Sequence, residues 1–176
     1  MTIVRLEKPS DVTARESLLD KAFGVARFRK TSERLREHRL PAEGLAFTAV
    51  SPSGRVIGTV RLWHVIAGSA GPALLLGPLA VETRARGKGL GAKLMQHALA
   101  TASVLGHGSV LLVGDQSYYG KFGFSDSLTQ NLHLPGPLDR ARFLGVELSP
   151  HALDGAEGLL MASGEVDCNP AAALAA

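Results

Sequence analysis

Short apolar runs alternate with helical stripes along this chain, and their order sketches a mixed α/β domain. Residues 2–7 alternate well enough for a first strand. Pro9-Ser10-Asp11 reads as a helix start with Ser10 or Asp11 as N-cap; the helix runs through Leu18 and Leu19 to Phe23, where Gly24 ends it. A second, basic helix is expected over Lys30–His38, stopping before Pro41. Leu45–Val50 is a strand, Ser51-Pro52-Ser53-Gly54 has turn chemistry, and Val56–Val65 completes a hairpin. Ile66–Ala73 reads as a loop. Leu74–Val81 is apolar throughout, as a mid-sheet strand should be. It contains Pro78, which cannot donate to a ladder, so a bulge or splay is expected near Pro78–Ala80.

Between Leu90 and Leu105, apolar residues recur at Leu90, Leu94, Met95, Ala98, Leu99, Ala102 and Leu105, a helical stripe that Gly106 closes. Val110–Val113 is a buried strand. Gly114-Asp115-Gln116-Ser117 opens a short helix carrying Tyr118, Tyr119 and Lys121, and Phe122-Gly123-Phe124 ends it. Further strands are expected around Leu132–Leu134, Arg142–Leu148 and Gly158–Met161, the first two separated by Pro135-Gly136-Pro137. One domain over 1–165 and an alanine-rich tail over 166–176, frayed from Asn169, account for the 176 residues.

Composition changes this picture little. The single cysteine, Cys168, allows no internal disulfide and fits a reducing cytoplasm. It has no partner His nearby in sequence, which argues against a nucleophile. The N-terminal residues lack the apolar core of a signal peptide, and Ala70–Val81 is too short to span a bilayer. Net charge is +3, unevenly placed: six basic residues between Arg27 and Arg39 face only Glu33 and Glu37. The favoured reading is a solvated helix face; steering of an anionic ligand stays open. Nucleic-acid binding would rest on this run alone, without interleaved aromatics.

The chemistry concentrates at Val81-Glu82-Thr83-Arg84-Ala85-Arg86-Gly87-Lys88-Gly89-Leu90-Gly91. A strand, a glycine-rich turn and a helix start gather backbone N–H groups at one spot, with the positive end of the helix dipole behind them. Such a nest binds phosphate or pyrophosphate. Gly91 is followed by Ala92-Lys93, not the Lys-Ser/Thr of a Walker loop, and the alternate glycines do not match Gly-x-Gly-x-x-Gly.

What fits is Arg86-Gly87-Lys88-Gly89-Leu90-Gly91, read as Arg/Gln-x-x-Gly-x-Gly/Ala. Here the chain resembles the GCN5-related N-acetyltransferase (GNAT) family. Leu76-Gly77-Pro78-Leu79-Ala80-Val81 is similar to that family's bulged fourth strand. Tyr119-Gly120-Lys121-Phe122-Gly123-Phe124 resembles its Tyr-x-x-x-Gly-Phe segment. The resemblance covers about residues 2–162. Within the family, the Gly114-Asp115-x-x-Tyr118-Tyr119-x-x-Phe122-Gly123-Phe124 run resembles small bacterial acetyltransferases.

The resemblance implies a central mixed sheet splayed between fourth and fifth strands and flanked by helices. It implies acetyl-CoA as co-substrate, no metal, and direct transfer to a primary amine, read as that of a small molecule. Backbone N–H groups of Gly87, Lys88, Gly89, Leu90, Gly91 and Ala92, with Arg86, are expected to hold the pyrophosphate. The edge at Leu79, Ala80 and Val81 is expected to pair with the pantetheine arm, and an N–H near Val81 to meet the oxyanion. Tyr119 stands where the family places a general acid for the departing thiolate. Tyr118 is expected to be structural or substrate-facing. Asp115 is expected to cap the next helix, with a proton-accepting role as the alternative. His64 and Glu82 are expected at the surface. Two other functions stay open, a protein lysine or N-terminal acetyltransferase and a non-catalytic acyl-CoA-binding module, as does a homodimer.

Overall fold

The computed structural model describes residues 1–168. Eight strands form one mixed sheet: β1 (Ile3–Leu6), β2 (Ala46–Val50), β3 (Val56–Ala67), β4 (Pro72–Val81), β5 (Ser109–Val113), β6 (Asn131–His133), β7 (Phe143–Glu147) and β8 (Glu157–Ala162). The main path runs β1-β2-β3-β4-β5-β7, and β8 joins the far end of β3 and carries β6. All neighbours on the main path are antiparallel except β4 and β5, the parallel pair. The long helix α2 (Leu90–Val104) is the crossover between them, as a parallel pair requires.

Alternation along the strands sorts the core onto two faces. Leu62, Leu74, Leu76, Val110 and Leu112 pack with the α2 stripe of Leu90, Leu94, Met95, Ala98 and Ala102. Trp63, Val65, Leu75 and Leu111 pack on the other face with Leu35, Leu132, Phe143, Leu153 and Leu160. The first helix, α1 (Val12–Phe23), closes that second face through Leu18 and Leu19 against Ala80.

The bulge expected near Pro78 lies at Gly77-Pro78. Val60 pairs with Leu79 and Leu62 with Leu76, so two β4 residues oppose Arg61 alone. Pro78 brings no N–H, Gly77 takes φ +137°, and the Trp63 indole N–H donates to the Gly77 carbonyl. Beyond this point β4 leaves β5. The two are registered only at Leu74–Val110 and Leu75–Leu111, while β5 continues against β7 through Val113.

Several elements differ from the sequence reading. β3 and β4 extend to Ala67 and back to Pro72, leaving only 68–71 as the connection. No side chain caps α1; the Asp11 carboxylate instead accepts from Arg5, the Lys8 N–H and Thr48, tying helix start to β1 and β2. The basic helix expected over 30–38 is a single 3-10 turn, Thr31–Leu35, preceded by another at Val25–Arg29. Their residues bond elsewhere than to their own turns. Arg27 reaches Glu16 and Asp20 on α1, while Thr31 and Arg34 donate to the Pro137 and Pro135 carbonyls. Such long-range ties override a helical pattern. Residues 163–167 pair back against His64, Leu40 and His38 and through the Arg39–Val166 bridge. The expected fraying from Asn169 lies outside the described residues.

Candidate active site

Where β4 and β5 part, a cleft of about 1290 Å³ opens between Leu76–Val81 on one side and Val113, Gly114 and Asp115 on the other. It continues from the glycine loop to the 3-10 segment 25–36. Of the residues singled out from sequence, Leu79, Ala80, Val81, Arg86, Gly87, Gly89, Leu90, Gly91, Ala92 and Tyr119 line it together. Lys88 stays outside the wall and is exposed. His64 lies outside too, its ring 5.5 Å from His107, and Glu82 pairs with Arg55 at 2.9 Å.

The three glycines have different tasks. Gly87 and Gly89 both sit at φ +75°, where L side chains are strained, and nothing lies within 4 Å of the position a Cβ would take. They make the turn and leave its outer side open. Gly89 is the residue before α2, so the first N–H groups of that helix face the same space. Gly91 is different: a Cβ there would meet the Tyr118 hydroxyl at 2.6 Å. Its bareness lets Tyr118 stand against the helix N-terminus, and Lys121 Nζ covers the Tyr118 ring at 4.2 Å.

Along β4 the backbone alternates. The Glu82 N–H donates to Ile57 at 2.8 Å, so in this antiparallel register Ala80 turns its polar groups toward β3, and Leu79 and Val81 turn theirs into the cleft. The Val81 carbonyl accepts from Arg86 Nε at 3.1 Å. Of the three edge residues named from sequence, Ala80 therefore contributes side-chain wall and not ladder groups.

Tyr119 sits on the short helix α3 (Gln116–Tyr119), packed edge-on against Tyr118 and Phe124. Its ring lies so close to Gly114 that a Cβ there would overlap it. Burial first, then Tyr118 and Asp115, push its pKa up to about 12. It is therefore protonated at neutral pH. Asp115 precedes α3 but caps it with its backbone carbonyl alone, which accepts from the Tyr118 and Tyr119 N–H groups; its carboxylate goes to Arg142 at 3.1 Å. The side chain expected to cap α3 is engaged in this ion pair instead.

The far wall was read from sequence as a solvated face. It is instead part of the cleft: Arg27, Arg29, Lys30, Arg34 and Arg36 all line it, with Arg142. Its placement depends on an ion network under α1. Arg15 joins Glu7 and Glu16, Glu16 holds Arg27, and Arg61 reaches the same Glu7. The uneven charge was the signal; what hid its location was the distance in sequence of Glu16 from Arg27, of 135–137 from Thr31 and Arg34, and of Asp115 from Arg142. Among the described residues, no group of His, Cys, Asp and Glu is arranged to hold a metal.

A splayed mixed sheet with an N–H nest beside the splay defines an acyltransferase class of fold. A family model described as an acetyltransferase (GNAT) domain matches residues 43–126. An N-acetyltransferase of Escherichia coli K12, YhbS, described as uncharacterized, is 30% identical over 159 residues, 90% of this chain and 94% of that one. The crystal structure of Escherichia coli YhbS in complex with CoA superposes with a TM-score of 0.78 at 28% identity, covering 92% of this chain and 89% of that one. A Brucella melitensis GNAT family acetyltransferase in complex with acetyl-CoA has the same fold, with a TM-score of 0.69 at 24% identity, covering 93% and 96%. The chain belongs to the GNAT family of N-acetyltransferases.

Proposed function

We propose that this chain, as a single catalytic domain over 1–165, transfers the acetyl group of acetyl-CoA directly to the primary amine of a small molecule. One observation carries the reading: a single continuous cleft joins an open anion nest, a free strand edge and a protonated tyrosine. The CoA held by the YhbS structure supports the donor. No helix among the described residues is long and apolar enough to cross a membrane, and the free Cys168 favours a reducing compartment such as the cytoplasm.

The parts then divide the work. N–H groups from Gly87 to Ala92 and the α2 dipole hold the pyrophosphate, with Arg86 beside them. The pantetheine amides pair with the cleft-facing groups of Leu79 and Val81 as an added strand. The neutral amine attacks the thioester carbonyl, a C–N bond forms, and the oxyanion takes a β4 N–H. Collapse breaks the C–S bond, Tyr119 gives its proton to the leaving thiolate, and the amine's proton passes to water. Tyr119 recovers its proton from solvent.

A lysine-rich peptide suits this site less well, because the acceptor wall is basic. A binding module without turnover has no use for a buried, protonated tyrosine at the splay. The test is a melting experiment with acetyl-CoA, followed by CoA release with a panel of amines. A rise in Tm at saturating acetyl-CoA and amine-dependent CoA release are the expected results. No rise removes the donor site; a rise without release from any amine or peptide leaves the binding module as the reading.

A further inference from the structure

The wall opposite the glycine loop carries more positive charge than a donor held at that loop requires. Eight basic side chains line the cleft against Glu33, Asp115 and Asp139. Several are already engaged: Arg27 with Glu16 and Asp20, Arg34 with the Pro135 carbonyl, Arg86 with the Val81 carbonyl, Arg142 with Asp115. Arg36 is only partly so. It lines the cleft yet is just 8% exposed. Its Nη2 donates to Glu33 at 2.8 Å and approaches Ser32 Oγ at 3.5 Å. Its Nε makes no hydrogen bond among the described residues and is sealed from solvent. Its Nη1 has no partner among them either, and it stands over Gly77, where a Cβ would meet it at 3.1 Å.

Position separates Arg36 from the phosphates. Gly77 lies four residues before Val81, about 10–13 Å along the strand at 3.3 Å per residue, less at the bulge. The nest is beyond Val81. Arg36 therefore stands at the end of the cleft where the thioester and the acceptor meet. Lys30 stands on the same wall, its ammonium over the Phe23 ring at 4.6 Å.

We propose that the acceptor amine also carries a carboxylate, as an amino acid does, and that Arg36 with Lys30 seats this carboxylate at the Gly77 end of the cleft. The proposal rests on the acetyltransferase reading of the cleft. A guanidinium offers a rigid fork that matches a carboxylate, and Arg36, paired with Glu33 through Nη2 alone, keeps Nη1 over Gly77 to donate to a second one. The same field helps the chemistry. Lys30 has its pKa lowered by burial first, then by Arg36 and Arg142, with Glu33 opposing. An incoming ammonium group meets that like-charge pressure and loses its proton more readily, while the carboxylate keeps the molecule bound.

The test is CoA release at saturating acetyl-CoA with three sets of acceptors: free amino acids, their carboxamides, and short peptides beginning with Glu or Asp. The expected result is a kcat/KM about 10-fold or more higher for a carboxylate than for its carboxamide. Turnover of the free amino acids assigns the carboxylate to a small molecule; turnover of the acidic peptides alone assigns it to a peptide. Arg36→Gln should raise KM for the acid by about 30–100-fold and bring the acid-to-amide ratio close to one, with Arg36→Lys restoring part of it. The acetyl-CoA melting shift should not change in either variant. Lys30→Gln, on the exposed rim, should show the same loss of discrimination in weaker form and carries the test if Arg36→Gln does not fold. Equal use of acids and amides, or no use of any carboxylate while acetyl-CoA still raises Tm, overturns the proposal. Loss of the acetyl-CoA shift in the wild-type protein instead overturns the donor reading beneath it.

Discussion

On one side of the cleft, the β4 edge and the Gly87–Gly91 loop present main-chain N–H groups. On the other, residues 25–36 and Arg142 present side chains held by distant partners. The first wall needs almost no side-chain chemistry: glycines at φ +75° shape it and a helix dipole charges it. The second is built from arginines whose positions depend on Glu16, Asp20, Asp115 and the 135–137 carbonyls. A backbone wall suits a donor whose phosphate and amide pattern is fixed. A side-chain wall suits an acceptor, because its chemistry can change without rebuilding the sheet.

This contrast orders the predictions. The largest effect is expected at Gly89→Glu, which strains the φ +75° position and places a negative charge in the nest. Acetyl-CoA affinity should fall by about 100-fold or more. Retained affinity, measured by the melting shift, would mean the nest is not the donor site. Next is Tyr119→Phe. It should lower kcat by about 100-fold while acetyl-CoA affinity stays within about twofold, because only the proton donor is lost. An unchanged kcat takes the acid role from Tyr119.

Glu16→Gln attacks the other wall from beneath. It removes one anchor of Arg27 and Arg15 and should cost about 2 kcal/mol of stability, seen in the urea midpoint. The acceptor KM should rise and the acetyl-CoA shift persist; a lost shift would show that the two walls are not separable. The smallest effect is one of pH. The Arg5 guanidinium holds the Asp11 carboxyl down at about 2, against burial. A depressed folded pKa stabilises above the unfolded value, near 3.9, and that stability fades as pH falls toward 2. Asp11→Asn should therefore flatten the acid limb of the stability curve between about pH 4 and 2 and leave the cleft's activity near neutrality unchanged.

The same division decides what the sequence reveals. The nest is legible because glycine at a left-handed position is a local requirement, and Pro78 announces a break because a missing N–H is a local fact. Gly91 is half-legible: it stands in the motif, but its reason is the Tyr118 hydroxyl. The segment Lys30–His38 has helical spacing, yet it holds only the 3-10 turn Thr31–Leu35, because Thr31 and Arg34 bond to 135–137. Nothing within that segment encodes those partners. Asp115 is read from sequence as a cap for the same reason: Arg142 is 27 residues away in sequence.

The central claim is that donor and acceptor are held by separable walls. Calorimetric titration of acetyl-CoA into the wild-type protein, Gly89→Glu and Arg36→Gln tests it directly. One-to-one binding by the wild type, unchanged in Arg36→Gln and absent in Gly89→Glu, is the predicted result. Binding that survives Gly89→Glu, or that fails in a folded Arg36→Gln protein, would contradict it.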